Sequence, residues 1–388
     1  MKYQLNWSTF SDEERKVLKE VIDSDQFTMG KHVGEFEEQF AKRFGMKYAV
    51  MVSSGSSANL IAVASLFFRK ENPLKPGDEV IVPNISWSTT FYPLHQYGLK
   101  LRFVDVDLNT LNMDPKELER AVTPKTKMVV AVSILGNPCD FDKISKFCKE
   151  RNLILFEDNC ESMGAVFKGK FTGTNGLVNT FSTFFSHHIS TMEGGLILTD
   201  NKELNSLMRS LRNHGWTRGI DPESGIYEKK FDDFFEAYRF ILPGYNVRPG
   251  ELNGAVGKTQ LKKLDGFIRA RRENAKYFKQ LFGKDDRFII QQEAEGAESS
   301  WFCFTMIVNT KKGISREKVL NKLKEAGIEF RIITGGCILR HDVVKYFDHT
   351  VTKSENADFA HFNGFFVGNY PYDIKDKIEY LHKTLKEI

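Results

Sequence analysis

YAVMVSSGSSANLIAVASLFF, residues 48 to 68, joins a short apolar run to a longer one through a Ser/Gly turn. The run from Tyr48 to Val52 reads as a buried strand, since a strand covered on both faces need not alternate. Beyond the turn, the segment to Phe68 is too long for a strand and reads as a helix. The pattern repeats downstream. DEVIVP (78–83), LKLRFVDVD (99–107), KMVVAVSIL (127–135) and LILFED (153–158) are further strands. Between them, Thr90 to Tyr97, DPKELERAV (114–122) and FDKISKFCKER (141–151) have helical spacing. Strands alternating with helices read as βαβ units around a mostly parallel sheet, an α/β fold. An N-terminal arm and this large domain are expected over residues 1–255, with the α/β region from about residue 30. A long linking helix (AVGKTQLKKLDGFIRARRENAKYFKQLF) then leads into a smaller α+β domain, residues 256–388.

Composition narrows the class. Of 388 residues, 41% are hydrophobic and 27% charged, as in ordinary folded soluble proteins. Lys+Arg 55 against Asp+Glu 51 leaves +4 without basic blocks, so no nucleic-acid footprint is expected. The run LIAVASLFF is far short of the ~18 residues of a membrane span. The first residues lack an apolar signal core, so export is not expected and a cytoplasmic location is. Five scattered cysteines (Cys139, Cys148, Cys160, Cys303, Cys337) form no CxxC pair, which argues against a disulfide framework or a metal site.

Four segments carry chemistry, and ligands of parallel sheets bind beyond the carboxyl ends of the strands. In SSGSSAN (53–59), Gly55 permits a tight turn, and the following amides could hold a phosphate at a helix start. An ordinary Ser N-cap is the alternative. In LILFEDNCES (153–162), Asp158 could pair with a protonated heterocyclic nitrogen, or simply cap a turn. TFFSHHISTMEGG (183–195) has two adjacent histidines with no carboxylate or cysteine at ligand spacing. RNHGWTR (212–218) and PGYNVRPGEL (243–252) gather His, Arg, Trp and Asn in loops, suited to sugar or phosphate recognition or to plain solvated turns.

These segments, with GKHVGEFEEQFAKRFGMKYAVMV and DEVIVP, occur in the order found in the DegT/DnrJ/EryC1/StrS sugar aminotransferases, which the chain resembles from about Phe27 to Leu261. The resemblance implies an aspartate aminotransferase-like (fold type I) protein that binds pyridoxal 5'-phosphate. It implies that Gly55, Ser56, Ser57 and Ser182 cradle the phosphate, that Asp158 pairs with the pyridine nitrogen, and that Trp87 stacks on the ring. Glu161 stands near the phenolic oxygen, where the family usually has glutamine. Asn246 would reach the phosphate of a neighbouring subunit, which implies a homodimer. His214 and Arg218 are candidates for substrate contact.

One departure redirects the chemistry. The family lysine that holds the cofactor lies seven residues before the Gly-Gly pair; here that position is His187, and no lysine occurs between Lys170 and Lys202. Histidine cannot form a Schiff base, so the cofactor is expected to bind non-covalently and to cycle through pyridoxamine 5'-phosphate. The exchange resembles a subgroup that uses L-glutamate to remove the C3 oxygen of a GDP-linked 4-keto-6-deoxy sugar in lipopolysaccharide deoxysugar (colitose) assembly. The expected reaction is a lyase-type dehydration that releases ammonia and 2-oxoglutarate, with His187 as acid and base. The rivals are an aminotransferase that tolerates histidine, a radical iron–sulfur relative for which the cysteines are not clustered, and a non-catalytic cofactor-binding protein.

Overall fold

A computed structural model describes residues 2–388. Its larger sheet has eight strands: β1 (Tyr48–Val52), β2 (Glu79–Pro83), β3 (Lys100–Val104), β4 (Thr126–Val132), β5 (Ile154–Asp158), β6 (Val178–Ser182), β7 (Gly195–Thr199) and β8 (His349–Val351). They lie in the order β1-β7-β6-β5-β4-β2-β3-β8. The pairings from β6 across to β8 are parallel, and β7 runs antiparallel to both its neighbours. This is the mostly parallel α/β sheet that the alternating runs imply.

The lack of alternation in the strands has a direct cause. Val80 and Val82 of β2, like Met128 and Val130 of β4, face a core shared with the helix Gly55–Phe68. Ile81 and Val129 point the other way, onto the helix Phe141–Glu150. With both faces covered, the successive central positions of these strands are apolar. The helix Gly55–Phe68 is itself apolar nearly all round and is buried along most of its length.

The second sheet is antiparallel and contains Phe288–Ile290, Cys303–Val308, Gly364–Gly368 and Phe330–Arg331 in that order. The helices Arg316–Glu325 and Lys375–Lys386 share its core. The 32-residue helix Glu251–Phe282 joins the two regions. The apolar run SSWFCFTMIV (299–308) reads as a strand, but it is extended only from Cys303, because Trp301 adopts a left-handed φ of 48° and breaks the run. DPKELERAV forms a 3-10 turn and a single helical turn instead of a full helix.

The chain crosses the expected 255/256 boundary in both directions. β8 comes from the C-terminal part yet pairs with β3, covering what would be an open sheet edge. At the other end, Tyr3 bridges Ile328 and donates its hydroxyl to the Gly368 carbonyl. We propose the boundary, inside the long helix, as the limit between two folding units.

Candidate active site

Each element that carries a candidate residue ends at the same edge of the larger sheet. β1 runs into Ser53 and Ser54, and the helix begins at Gly55 with the Ser54 side chain accepting from the Ser57 amide. A Cβ on Gly55 would stand 2.7 Å from Ser182 Cβ and 3.1 Å from Cys160 Sγ. Only glycine lets the end of β6 and the turn after β5 close on the helix start. Ser56 lies exposed there, its hydroxyl donating to Thr89 (2.9 Å). Backbone amides at a helix start, ringed by hydroxyls and kept free of side-chain bulk, suit a phosphate group.

Asp158 ends β5 and is buried. Its Oδ2 accepts from Asn59 Nδ2 (2.9 Å) and from the Thr90 hydroxyl (2.7 Å), while Oδ1 accepts from the Cys160 amide (3.1 Å). Asn59 is held in turn by the Thr180 hydroxyl (2.6 Å). Three donors fix the carboxylate's position and aim, as a partner for a protonated ring nitrogen requires. The helix that supplies Thr90 is preceded by Trp87, whose ring is 58% exposed.

His187 sits in the loop between β6 and β7. Thr183 and Thr191 pinch that loop closed, their hydroxyls 2.6 Å apart, and the His187 amide donates to the Phe184 carbonyl. The His187 Nδ1 lies 2.6 Å from the Cys160 carbonyl. A carbonyl only accepts, so Nδ1 carries the proton, and Nε2, bonded to nothing among the described residues, presents its lone pair. Burial against Phe302 (ring centroids 5.1 Å) lowers its pKa to about 4, despite the opposing Cys160 carbonyl. It is neutral at ordinary pH.

His188 turns the other way. It is fully buried, Nε2 is 3.2 Å from the Ser300 carbonyl, Nδ1 has no partner, and burial pushes its pKa well down. It packs beneath the loop.

Glu161 lies one turn beyond Asp158. Its Oε2 accepts from the Leu135 amide (2.9 Å) and the Thr334 hydroxyl (3.2 Å). Both donors come from residues with left-handed φ, 52° and 42°, a strain that proteins tend to retain at functional positions. Burial, reinforced by the nearby Asp158 charge and opposed by the Leu135 amide, raises the Glu161 pKa to about 7.

RNHGW and PGYNVR meet each other. Asn213 bridges Asn246, the His214 amide donates to the Tyr245 carbonyl, and the Val247 carbonyl accepts from Ser53. Underneath, buried Arg212 pairs with Glu37 (2.5 Å), which Arg209 also holds (2.8 Å). Asn246 and Arg218 are exposed, and His214 stacks on Trp216 with its own φ at 62°. None of these three side chains bonds to Asp158, Glu161 or His187 within the chain. Asn59, Thr90, Leu135 and Thr334 carry no motif that marks them in the sequence as site residues. Asn59 has one readable signal, a lone amide inside an otherwise apolar helix. Among the described residues, no three His, Cys, Asp or Glu side chains are grouped to hold a metal ion.

The chain belongs to the DegT/DnrJ/EryC1/StrS aminotransferase family, whose profile matches residues 9–382. Within it, the chain is 52% identical to the GDP-4-keto-6-deoxy-D-mannose 3-dehydratase of Escherichia coli O55:H7, over 99% of both chains. Two solved structures of GDP-4-keto-6-deoxymannose-3-dehydratase are 51% identical and superpose with TM-scores of 0.96, covering 99% of this chain and 100% of theirs. One holds a trapped PLP-glutamate geminal diamine; the other is a histidine-to-asparagine variant with bound GDP-perosamine.

Proposed function

We propose that the chain is a pyridoxal-phosphate-dependent lyase that removes the C3 oxygen of GDP-4-keto-6-deoxy-D-mannose. L-glutamate is the amine donor, and the products are GDP-4-keto-3,6-dideoxy-D-mannose, ammonia and 2-oxoglutarate. The observation that carries this reading is His187, a neutral imidazole with a free Nε2 at the turn where the family carries its lysine. Full-length identity of 52% to a protein of that activity supports it.

The bound cofactor supplies an electron sink and carries the amino group between L-glutamate and the sugar C4 ketone. Gly55, Ser56, Ser57 and Ser182 hold its phosphate, and the clash any Cβ at residue 55 would meet supports that cradle. Asp158, oriented by Asn59 and Thr90, keeps the ring nitrogen protonated. Trp87 covers the ring face. Glu161, both of whose protein donors converge on Oε2, offers Oε1 to the phenolic oxygen. With no lysine in the loop, nothing binds the cofactor covalently, and it exchanges between turnovers.

His187 Nε2 takes the C4′ proton and delivers it to the sugar C3 oxygen, which departs as water. The Cys160 carbonyl keeps Nδ1 protonated throughout and fixes the ring. A lysine amine in the same loop would be long and mobile enough to protonate C4 and complete transamination. A short imidazole tethered at Nδ1 holds Nε2 in one place, between C4′ and the C3 oxygen, and does not follow the proton to C4.

The same proposal includes a homodimer in which Asn246 completes the partner's phosphate site. Asn246 is exposed on the bridged RNHGW/GYNVR pair, and Phe231, Phe234, Phe235 and Tyr238 are exposed on the segment that links the two motifs. His214 and Arg218, in the same region, are assigned to substrate. A cytoplasmic location accords with five free cysteines, four of them buried. Among the described residues no helix is long and apolar enough to cross a membrane.

The test is an end-point assay with the cofactor, L-glutamate and the GDP-ketosugar, read by sugar mass and free ammonia. A 3-deoxy ketosugar with stoichiometric ammonia is expected, and lost on His187→Asn. An amino sugar without ammonia would make the chain an aminotransferase.

A further inference from the structure

Behind the His187 loop lies a small cavity of about 220 Å³ lined by Arg271, Arg331, Asn6, Ser186, Phe302 and Asn369, among others. Its electrostatics are unbalanced. Arg271 is 4% exposed, yet no carboxylate pairs with it among the described residues. Its neighbour Arg272, by contrast, is paired with Glu298 at 3.0 Å. Nη1 of Arg271 donates to the Phe302 carbonyl (2.9 Å) and to the Asn369 carbonyl. Nε is buried without a partner, and Nη2 donates to no protein atom among the described residues. Among the described residues Arg331 also lacks an ion pair; its side chain donates to the adjacent Phe330 carbonyl.

A buried guanidinium without a counter-charge is costly, and a carboxylate is the group that best relieves it. With Nη1 engaged and Nε sealed in the protein, Nη2 is the nitrogen left to meet one. Burial already lowers the Arg271 pKa to about 10. The cavity is smaller than the ~300–1,000 Å³ of pockets for drug-sized ligands, which suits an amino acid and excludes a whole nucleotide sugar. Phe302 on its wall also packs against the His187 ring (centroids 5.1 Å), so the cavity adjoins the catalytic imidazole.

We infer that Arg271, with Arg331, Asn6 and Ser186 also lining the cavity, is the carboxylate-binding site for the amino-acid donor. This rests on the dehydratase reading only in naming L-glutamate as that donor. Arg271 meets the carboxylate through Nη2, and Arg331, exposed on the edge strand Phe330–Arg331, adds the second charge.

The experiment uses holoenzyme and separates the two half-reactions. Conversion of L-glutamate to 2-oxoglutarate is followed by the cofactor spectrum, and binding of 2-oxoglutarate to the pyridoxamine form by calorimetry. Arg331→Gln is expected to raise the KM for L-glutamate and the Kd for 2-oxoglutarate at least about tenfold, with kcat little changed. Arg271→Gln should do more, and Arg271→Lys should recover part of the loss. Arg271 also ties two carbonyls, so if its variants do not fold, Arg331→Gln alone decides the question. In a single turnover from the pyridoxamine form, the ketosugar's apparent affinity should match wild type. Glutamate and 2-oxoglutarate constants within about twofold of wild type in Arg331→Gln would overturn the inference. So would a parallel loss of ketosugar affinity, which would give the cavity to the sugar. A wild-type enzyme that shows the glutamate effects but fails to deoxygenate the GDP-ketosugar would overturn the dehydratase reading and leave the donor site standing.

Discussion

Acidifying the enzyme from about pH 7.5 to 5.5 should leave the His187-dependent step almost unslowed. Burial lowers the His187 pKa to about 4, so the imidazole remains ~97% neutral at pH 5.5. An ordinary histidine near 6.5 would be only about 9% neutral there, a tenfold loss of active base. A second group titrates in the same window. Glu161, raised to about 7, gains its proton as the pH falls through neutrality and could impose a limb of its own. Glu161→Gln installs the usual family residue and removes that titration, since an amide does not ionise. The assay is single-turnover dehydration from the pyridoxamine form, which omits the donor's own titration, after circular dichroism has shown the protein folded at each pH. In the Glu161→Gln background the acid limb of kcat/KM should lie below about pH 5. A limb that persists between about 6 and 7 would refute the half-buried, Cys160-tethered base. The same shift bears on stability. The folded pKa lies below the unfolded one, so the unfolded chain takes up the proton first. The contribution of His187 is present above about 6.5 and is lost as the pH falls towards about 4.

Three further outcomes follow from the packing. Gly55→Ala puts a methyl group 2.7 Å from Ser182 Cβ; overpacking of this kind costs ~1–3 kcal/mol, and the phosphate cradle should distort with it. Cofactor titration should show weaker binding, and unchanged affinity would count against the cradle. Glu37→Gln leaves buried Arg212 without its counter-charge, at a cost of ~3–5 kcal/mol read by urea unfolding; a loss under ~1 kcal/mol would show the pair to be dispensable. His188→Asn should lower Tm while the folded fraction keeps its specific activity; a loss of turnover without a change in Tm would move His188 into the chemistry.

Much of this protein is written locally in its chain. Apolar runs such as YAVMV and LILFED show a sheet buried on both faces, because period and length are properties of neighbours in sequence. Asp158 at a strand end, Gly55 in a serine turn, and histidine where the family has lysine are equally local facts. The tertiary structure decided which groups meet. Asn59 reaches Asp158 across 99 positions, and Thr334 reaches Glu161 across 173. The Cys160 carbonyl selects the tautomer of His187 across 27. β8, a three-residue strand from the C-terminal part, has too few residues to display a period and exists only because β3 offers an edge. Arg271 looks like any other arginine of a charged helix face until the fold buries it with no carboxylate beside it among the described residues. Local pattern reflects the solvent each residue avoids; long-range partners depend on register and on the packing of layers, which no window of sequence contains.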